Sequence, residues 1–500
     1  MSEIFPNMLI RSAEQYPNKT AIVYNSREIS FADLQKYSEQ AARRLASAGA
    51  GLRTHTAILA QNSAAYAIIT HALALLRSVM APLNTRLSRE ECLWQMRDCE
   101  ANILICDEAF AETGKFLAEQ LPEARVLFLP SSQTESDLFA DLPEKAVEFY
   151  SEYDADAIQA IMYTSGSSGK PKGALITYGM HWWNAAASAL NIGAYPEDAW
   201  LANLPFFHIG GLSILMRSVI YGMRVIIHDK FDPVAANKAI AEDRATIISV
   251  VAVTLQKMLN ALPDDSLFPP WLRVVLLGGG PAPESLLREC LRRGAPVCQT
   301  YGLTESCSQA VTLAPQDTLR KIGSAGRPLP AVQLKILRDG KETAAHEAGE
   351  IYLKGPTITK GYYHLTDLNT SVFQNGWFAT GDIGSRDEEG YIYIHDRRAD
   401  LIISGGENIY PAEIEAVLTG HPDVADAGVC GIDDEQWGKV PAALIKLRQG
   451  SQLTAQELRE YAAQRLAKFK CPRKIVFTDD VPRNAAGKLM RRRFIELLQP

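Results

Sequence analysis

Basic residues are in deficit: 51 Lys and Arg face 58 Asp and Glu, leaving a net charge of −7. A chain without a positive surplus has little with which to neutralise a phosphate backbone. That argues against a general nucleic-acid binder and gives no support to binding at an anionic membrane. Long uninterrupted apolar runs are also lacking. The most apolar stretch, "AAYAIITHALALLRSVMAPL", carries His71 and Arg77, and it reads as a buried helix rather than a membrane span. The opening "MSEIFPNMLIRSAEQYPNK" has no basic-then-apolar pattern of a secretion signal. The 8 cysteines are scattered, with no C-x-x-C pair and no His/Cys cluster. This argues against a disulfide framework and a structural zinc site, and it fits a reducing, cytoplasmic setting. No repeat of fixed period and no low-complexity tract is present.

What is there is ordinary globular material, 47% hydrophobic and 22% charged, in a chain of 500 residues that is too long for one core. Helix-period and strand-like runs alternate through the first three-fifths, as in "FADLQKYSEQAARRLASAG", "THTAILAQ", "MRVIIHD", "ATIISVVAV" and "RVVLLGGG" followed by "PAPESLLRECLRRG". Such alternation predicts an α/β fold of parallel-rich sheets covered by helices. From residue 315 to 396 the texture changes to short strands and turns ("AVQLKILRDGKE", "GEIYLKG", "GYIYIHD"), which predicts a small antiparallel sheet or barrel. Beyond "DRRADLIISGGENIYP" comes a compact α+β unit, with a helix opened by the capping box Thr454-x-x-Glu457. The expected division is a large unit over 1–396 and a smaller one over 397–500.

The strand-like "AIQAIM" delivers the chain to "YTSGSSGKPKG". The N–H groups at Gly166, Gly169 and Gly173 and the hydroxyls of Thr164, Ser165, Ser167 and Ser168 could surround phosphate oxygens, with Lys170 and Lys172 adding charge. The Walker pattern does not fit. Lys170 is followed by Pro171 instead of Ser or Thr, and a residue before proline is disfavoured in the helical region. The dinucleotide fingerprint is absent as well. A flexible Gly/Ser linker is the competing reading, against which stands the buried strand just before it.

This stretch resembles the phosphate-binding signature of the adenylate-forming superfamily of acyl- and aryl-CoA synthetases, luciferases and peptide-synthetase adenylation domains. Ser167 and Ser168 stand where that signature usually has two threonines. Further motifs follow in the family's order. In "TYGLTES" the resemblance implies that Tyr301 stacks on adenine, Gly302 lines the nucleotide, Thr304 meets the α-phosphate, and Glu305 with Thr164 helps to hold Mg²⁺. An aromatic face suits a base, and hard oxygens suit a hard cation; a strand end with a capped helix start is the plainer alternative. "LLGGGPAP" brings Gly278, Gly279 and Gly280 against adenine and substrate, unless it is an ordinary strand-to-helix turn. Asp382 of "TGD" implies a ribose contact, and Arg397 of "DRRAD" a contact between ribose and α-phosphate at a hinge. At that hinge Ala399, followed by Asp400, replaces the family's Asp or Lys. Lys488 of "VPRNAAGK" matches the mobile C-terminal lysine, and Gly405 and Gly406 of "SGGEN" match the loop serving the thiol step. An exposed basic residue and a plain turn are the competing readings there.

The implied reaction has two halves. A carboxylate attacks the α-phosphorus of ATP, with Mg²⁺ present, giving an acyl-adenylate and pyrophosphate. The C-terminal unit then swings, and the thiol of coenzyme A takes the acyl group. "LPFFHIGGLSILMRSVIYGM" lies where the family forms its acyl pocket: His208 is either a gate to the thiol tunnel or a buried structural histidine, and Arg217 either snorkels or faces the acid as a counter-charge. Taken together, "LPFFHIGGLS", "RSVIYGM", "LLGGGPAP", "YGLTESCSQ", "FQNGW" and "ISGGENIYPAEIE" most resemble one subfamily, the 2-succinylbenzoate–CoA ligases of menaquinone synthesis. Carried over, Arg217 with Ser308 and Gln309 would meet the ring carboxylate or keto group of that acid. A broad aryl- or acyl-CoA ligase, a free-standing enzyme loading a carrier protein, and a catalytically dead binding protein are the rivals. The expected partners are small molecules only, and a homo-oligomer is left open.

Overall fold

The computed structural model describes residues 3–129, 134–164, 171–280, 282–397, 402–404, 407–409, 411–434, 437–466, 468–484, 487 and 489–498. Two large sheets dominate. A nine-stranded one runs edge to edge as Arg327–Pro328, Val311–Thr312, Val297–Tyr301, Val274–Gly278, Ile247–Val251, Ala199–Ala202, Arg224–Ile227, Thr20–Tyr24 and Arg27–Ser30. Its centre is parallel and its edges are antiparallel. A six-stranded one runs Lys172–Thr177, Ile158–Thr164, Val79–Pro82, His55–Leu59, Ile103–Asp107 and Arg125–Leu129. The parallel pairing answers to the alternation of helical and strand periods, because parallel neighbours need a crossover between them.

The main core lies between these sheets. Ile58 and Ile105 from one sheet, and Trp200, Val225 and Leu276 from the other, share a cluster with Phe31, Leu45 and Ile68 of the intervening helices. This burial from both sides explains the apolar run noted above. Instead of one long helix it folds as helix Ala64–Leu75 and then strand Val79–Pro82, and nearly every residue of the helix is buried. A helix enclosed on all faces has no polar stripe to show.

Burial has a consequence for two histidines. It holds His71 at about 4, and His181 at about 3 with the Arg217 guanidinium adding to the effect. On acidification the unfolded chain takes up these protons near pH ~6.5, while the folded chain refuses them until well below pH 5. Stability is therefore complete above ~6.5 and declines by ~1.4 kcal/mol per pH unit per histidine as the pH falls towards ~4. The urea midpoint is expected to drop over that window, and His71→Gln is expected to flatten the drop.

A third, antiparallel sheet contains Lys341–Glu342, Gln333–Arg338, Gly349–Lys354, Trp377–Arg386 and Phe373–Gln374, with Ile392–Arg397 also paired to Trp377–Arg386. A fourth is formed from Glu407–Ile409, Ile402–Ser404, Gly438–Leu447, Val424–Asp434 and Lys474–Phe477. Helix Ala455–Ala463 is closed by the expected capping box, Thr454 and Glu457 exchanging both bonds.

Candidate active site

Strands Val274–Gly278 and Val297–Tyr301 are parallel and end together, at Gly278 and Tyr301. Crevices for ligands form at the carboxyl ends of parallel strands, and of the expected site residues Gly278, Gly279, Gly280, Tyr301, Gly302, Thr304 and Glu305 stand at or just beyond these ends. Gly279 adopts a φ of +81°, and a Cβ on it would lie 2.9 Å from Val251 Cγ1. Gly280 has no atom within 4 Å of such a Cβ, so its backbone faces open space.

After Tyr301 the chain makes a tight return through the short helix Thr304–Ser306, Cys307 (φ 55°) and Ser308 (φ 92°) to Gln309. Gly302 is what lets the return close, because a Cβ there would sit 1.5 Å from the Ser308 carbonyl oxygen. The Tyr301 hydroxyl donates to Asp382 Oδ2 at 2.8 Å, joining a parallel strand end to the antiparallel sheet. Asp382 is the register partner of Arg397, so the backbone at Arg397 runs beside the Tyr301–Asp382 pair.

The glycine-rich stretch is flanked by two paired strands. Ile158–Thr164 pairs antiparallel with Lys172–Thr177, Thr164 opposite Lys172 and Gly173 opposite Tyr163. The second strand was not anticipated, because "KGALIT" is short and abuts the helix Tyr178–Ile192. Gly173 is thereby corrected: it belongs to the ladder, and it is glycine because a Cβ would meet Ile161 Cγ2 at 2.7 Å. Ser165, Gly166, Ser167, Ser168, Gly169 and Lys170 lie outside the described residues, as do Ala399, Asp400, Gly405, Gly406 and Lys488.

A strap missed by sequence reasoning ties the hairpin to Glu305. Thr359 N–H donates to the Glu305 carbonyl at 2.7 Å, and Thr359 Oγ1 to the Leu175 carbonyl at 2.7 Å. Tyr363 N–H donates to the Gly173 carbonyl at 2.8 Å. The Tyr362 hydroxyl donates to Glu305 Oε1 at 2.6 Å, and Lys172 Nζ sits 5.5 Å from the centre of the same ring. The only sequence signal was the aromatic pair in "KGYYH", which carries no chemistry without its partners.

Arg217, expected to face the acid, is packed between two helices. Arg217, on Ile209–Tyr221, is 2% exposed, so the snorkelling alternative is overturned: the helix is buried nearly throughout and offers no route to solvent. Its guanidinium rests over the Trp200 ring at 5.1 Å and donates to Asn184 Oδ1 at 2.6 Å, while its Nε has no partner. No carboxylate among the described residues forms an ion pair with it, and burial pulls its pKa down. Asn184, from Tyr178–Ile192, donates through Nδ2 to the carbonyls of Ser306 (3.3 Å) and Gln309 (2.8 Å), linking this pocket to the turn after Tyr301. Gln309 Oε1 accepts from Thr312, and its buried Nε2 is unpartnered. Asn184 was another omission, since an asparagine inside "HWWNAAAS" has no motif to mark it.

His208 stands at the start of Ile209–Tyr221, its ring 4.6 Å from that of Phe207, and its buried Nε2 has no partner. Burial, with Arg86 assisting, lowers it to about 4, so it is a neutral imidazole at pH ~7. Thr304 and Ser308 are partly buried in the turn. Among the described residues no group of three or more His, Cys, Asp or Glu could by itself hold a metal ion, and no helix is long and apolar enough to cross a membrane.

A buried tyrosine–aspartate pair joining a parallel strand end to the antiparallel sheet, with a glycine turn beside it, suits an enzyme that binds a nucleotide. Residues 9–363 match the AMP-binding enzyme family and residues 413–488 its C-terminal domain; the chain belongs to this family. Within it, the chain is 46% identical over 498 residues to the 2-succinylbenzoate–CoA ligase of Geobacillus sp. (strain WCH70), covering 100% of this chain and 98% of that one. Among solved structures it resembles the o-succinylbenzoate CoA synthetase of Bacillus subtilis in complex with its acyl-adenylate intermediate, with a TM-score of 0.92, 42% identity and 98% of each chain covered. The same enzyme in complex with ATP and magnesium ion matches with a TM-score of 0.91 at 42% identity, over 99% of this chain and 100% of that one.

Proposed function

We propose that the chain is an AMP-forming acid–CoA ligase that activates 2-succinylbenzoate with ATP and passes the acyl group to coenzyme A, releasing AMP and pyrophosphate, a step of menaquinone biosynthesis. The observation that carries the choice of acid is Arg217: a buried guanidinium with no acidic partner is costly unless an anion completes it. An acid with a second, unreacting carboxylate supplies that anion and leaves its aliphatic carboxylate for activation. The full-length relatives at similar identity support the same choice. A pyrophosphate-release assay over a panel of acids tests it. The expected result is preference for 2-succinylbenzoate over benzoate, cinnamate and medium-chain fatty acids; preference for any mono-acid would overturn the reading in favour of a broad ligase.

In this reading Tyr301 offers its ring to adenine and uses its hydroxyl to hold Asp382, whose carboxylate accepts from the ribose hydroxyls. Arg397 reaches between ribose and α-phosphate, Thr164 and Thr304 offer hydroxyls to phosphate, and the glycine/serine stretch with Lys170 and Lys172 receives the departing pyrophosphate. The neutral His208 lets the acyl chain pass without adding charge. Lys488 brings an ammonium to the α-phosphate as two anions meet, which favours the transition state electrostatically. The unit from residue 397 onward then turns at Ala399 and Asp400 to present Gly405 and Gly406 for the thiol step, in a cytoplasmic setting.

The residues fit a magnesium ion carried in with phosphate. Glu305 presents one carboxylate oxygen fixed by Tyr362, while Oε2 has no partner among the described residues. Without a protein cage, the remaining ligands are substrate oxygens and water, the usual manner for Mg²⁺. When bound, the ion spreads phosphate charge. Tyr362→Phe keeps the ring over Lys172 but releases Glu305. It is expected to raise the apparent Mg²⁺ requirement for pyrophosphate release ~3- to 10-fold, and to weaken Mn²⁺ binding read by electron paramagnetic resonance with ATP present. An unchanged metal dependence would sink this role.

A further inference from the structure

Every group that faces the Arg217 guanidinium among the described residues is uncharged. Trp200 lies beneath it, Asn184 accepts from it, and Tyr221, Cys307 and His181 surround it. Burial holds the Cys307 thiol up near 12 and the His181 imidazole down near 3, so neither carries charge at neutral pH. Asn184 accepts from the guanidinium at 2.6 Å and is itself 1% exposed, while the Tyr221 hydroxyl approaches the same group. Its orientation is settled by its partners. The amide nitrogen has two carbonyl oxygens to donate to, at Ser306 and Gln309, and the guanidinium can only donate. The carbonyl oxygen must therefore face Arg217.

We propose that Asn184 is a specificity-determining residue: its neutral carbonyl oxygen aims the Arg217 guanidinium without cancelling its charge, so the pocket requires its counter-ion from the acid. An aspartate would be nearly isosteric, yet it would complete an internal ion pair and remove the demand for a second carboxylate. The two unpartnered buried donors nearby, Arg217 Nε and Gln309 Nε2, belong to a pocket left electrostatically open. The link from Asn184 to Ser306 and Gln309 also fixes the pocket relative to the nucleotide turn. The inference rests on the pocket reading given under the proposed function and adds to it the residue that keeps the arginine uncompensated.

The test uses the full-length enzyme with ATP, Mg²⁺ and coenzyme A, and compares kcat/KM for 2-succinylbenzoate with that for benzoylpropionate, the same keto acid without the ring carboxylate. In Asn184→Asp the ratio of the two is expected to fall ~10- to 100-fold, with benzoylpropionate turnover kept or improved. Asn184→Ala, which leaves the guanidinium charged but unaimed, is expected to lower the same ratio ~10-fold, and it decides the matter if the aspartate variant fails to fold. A purely structural role in joining the helices would lower both acids in parallel and leave the ratio unchanged; that result overturns the proposal. Arg217→Ala, run alongside, separates the two layers. An unchanged ratio there overturns the pocket reading itself, whereas a fall there with wild-type ratios in both Asn184 variants overturns only the role of Asn184.

Discussion

Lys488→Ala is expected to slow acyl-adenylate formation by ~10²- to 10³-fold, while a preformed acyl-adenylate still yields thioester at the unaltered rate. Two negative groups, the substrate carboxylate and the α-phosphate, must meet in the first half-reaction, and an ammonium between them lowers the energy of the crowded state more than that of the separated one. In the second half-reaction a thiol meets an anhydride, and that need disappears. Lys488 lies outside the described residues, but the chain to either side of it is held. The Arg483 guanidinium grips Asp426 through two bonds of 2.9 and 2.6 Å and donates to the Gly487 carbonyl at 2.7 Å, and Arg483 bridges Leu489 through the backbone. Pyrophosphate release and thioester formation, measured separately, check the prediction. Equal loss of both would remove the role given to this lysine.

Arg217→Ala is expected to raise KM for 2-succinylbenzoate ~10- to 100-fold, the equivalent of ~1.5–3 kcal/mol for a lost charge-assisted bond. The effect should fall on KM more than on kcat, because the ring carboxylate is not the group that reacts and its binding is shared by ground and transition states. On folding the substitution acts in two opposed ways. The substitution removes an uncompensated buried charge but leaves Asn184 Oδ1 without its donor and a space over Trp200. An unchanged KM would mean that the acid does not reach this arginine.

Legibility along the chain followed the range of the interactions. The expected nucleotide residues could be named because each motif is local and resembles the family's signature: a tyrosine, a threonine and a glutamate stand together within "TYGLTES". Gly302 was placed in the site for its approach to ligand, and the structure adds a nearer reason in the Ser308 carbonyl. Gly173 went the other way, from phosphate ligand to ladder residue, because a hairpin register is set by a partner strand and not by composition. Tyr362 and Asn184 were illegible, since the first acts on a residue 57 positions away and the second on one 33 away. Arg217 was visible as an anomaly in an apolar helix, but choosing between surface and pocket required knowing that both sheets enclose that helix.

The sequence by itself determined the α/β class through its periodicity, and the family through the resemblance of its short motifs and their order, because both are written directly into the chain. Only the tertiary structure decided which charges are left uncompensated. A buried guanidinium answered by an amide instead of a carboxylate is a statement about two helices and a strand meeting, and electrostatic balance at one point depends on every group folded around it.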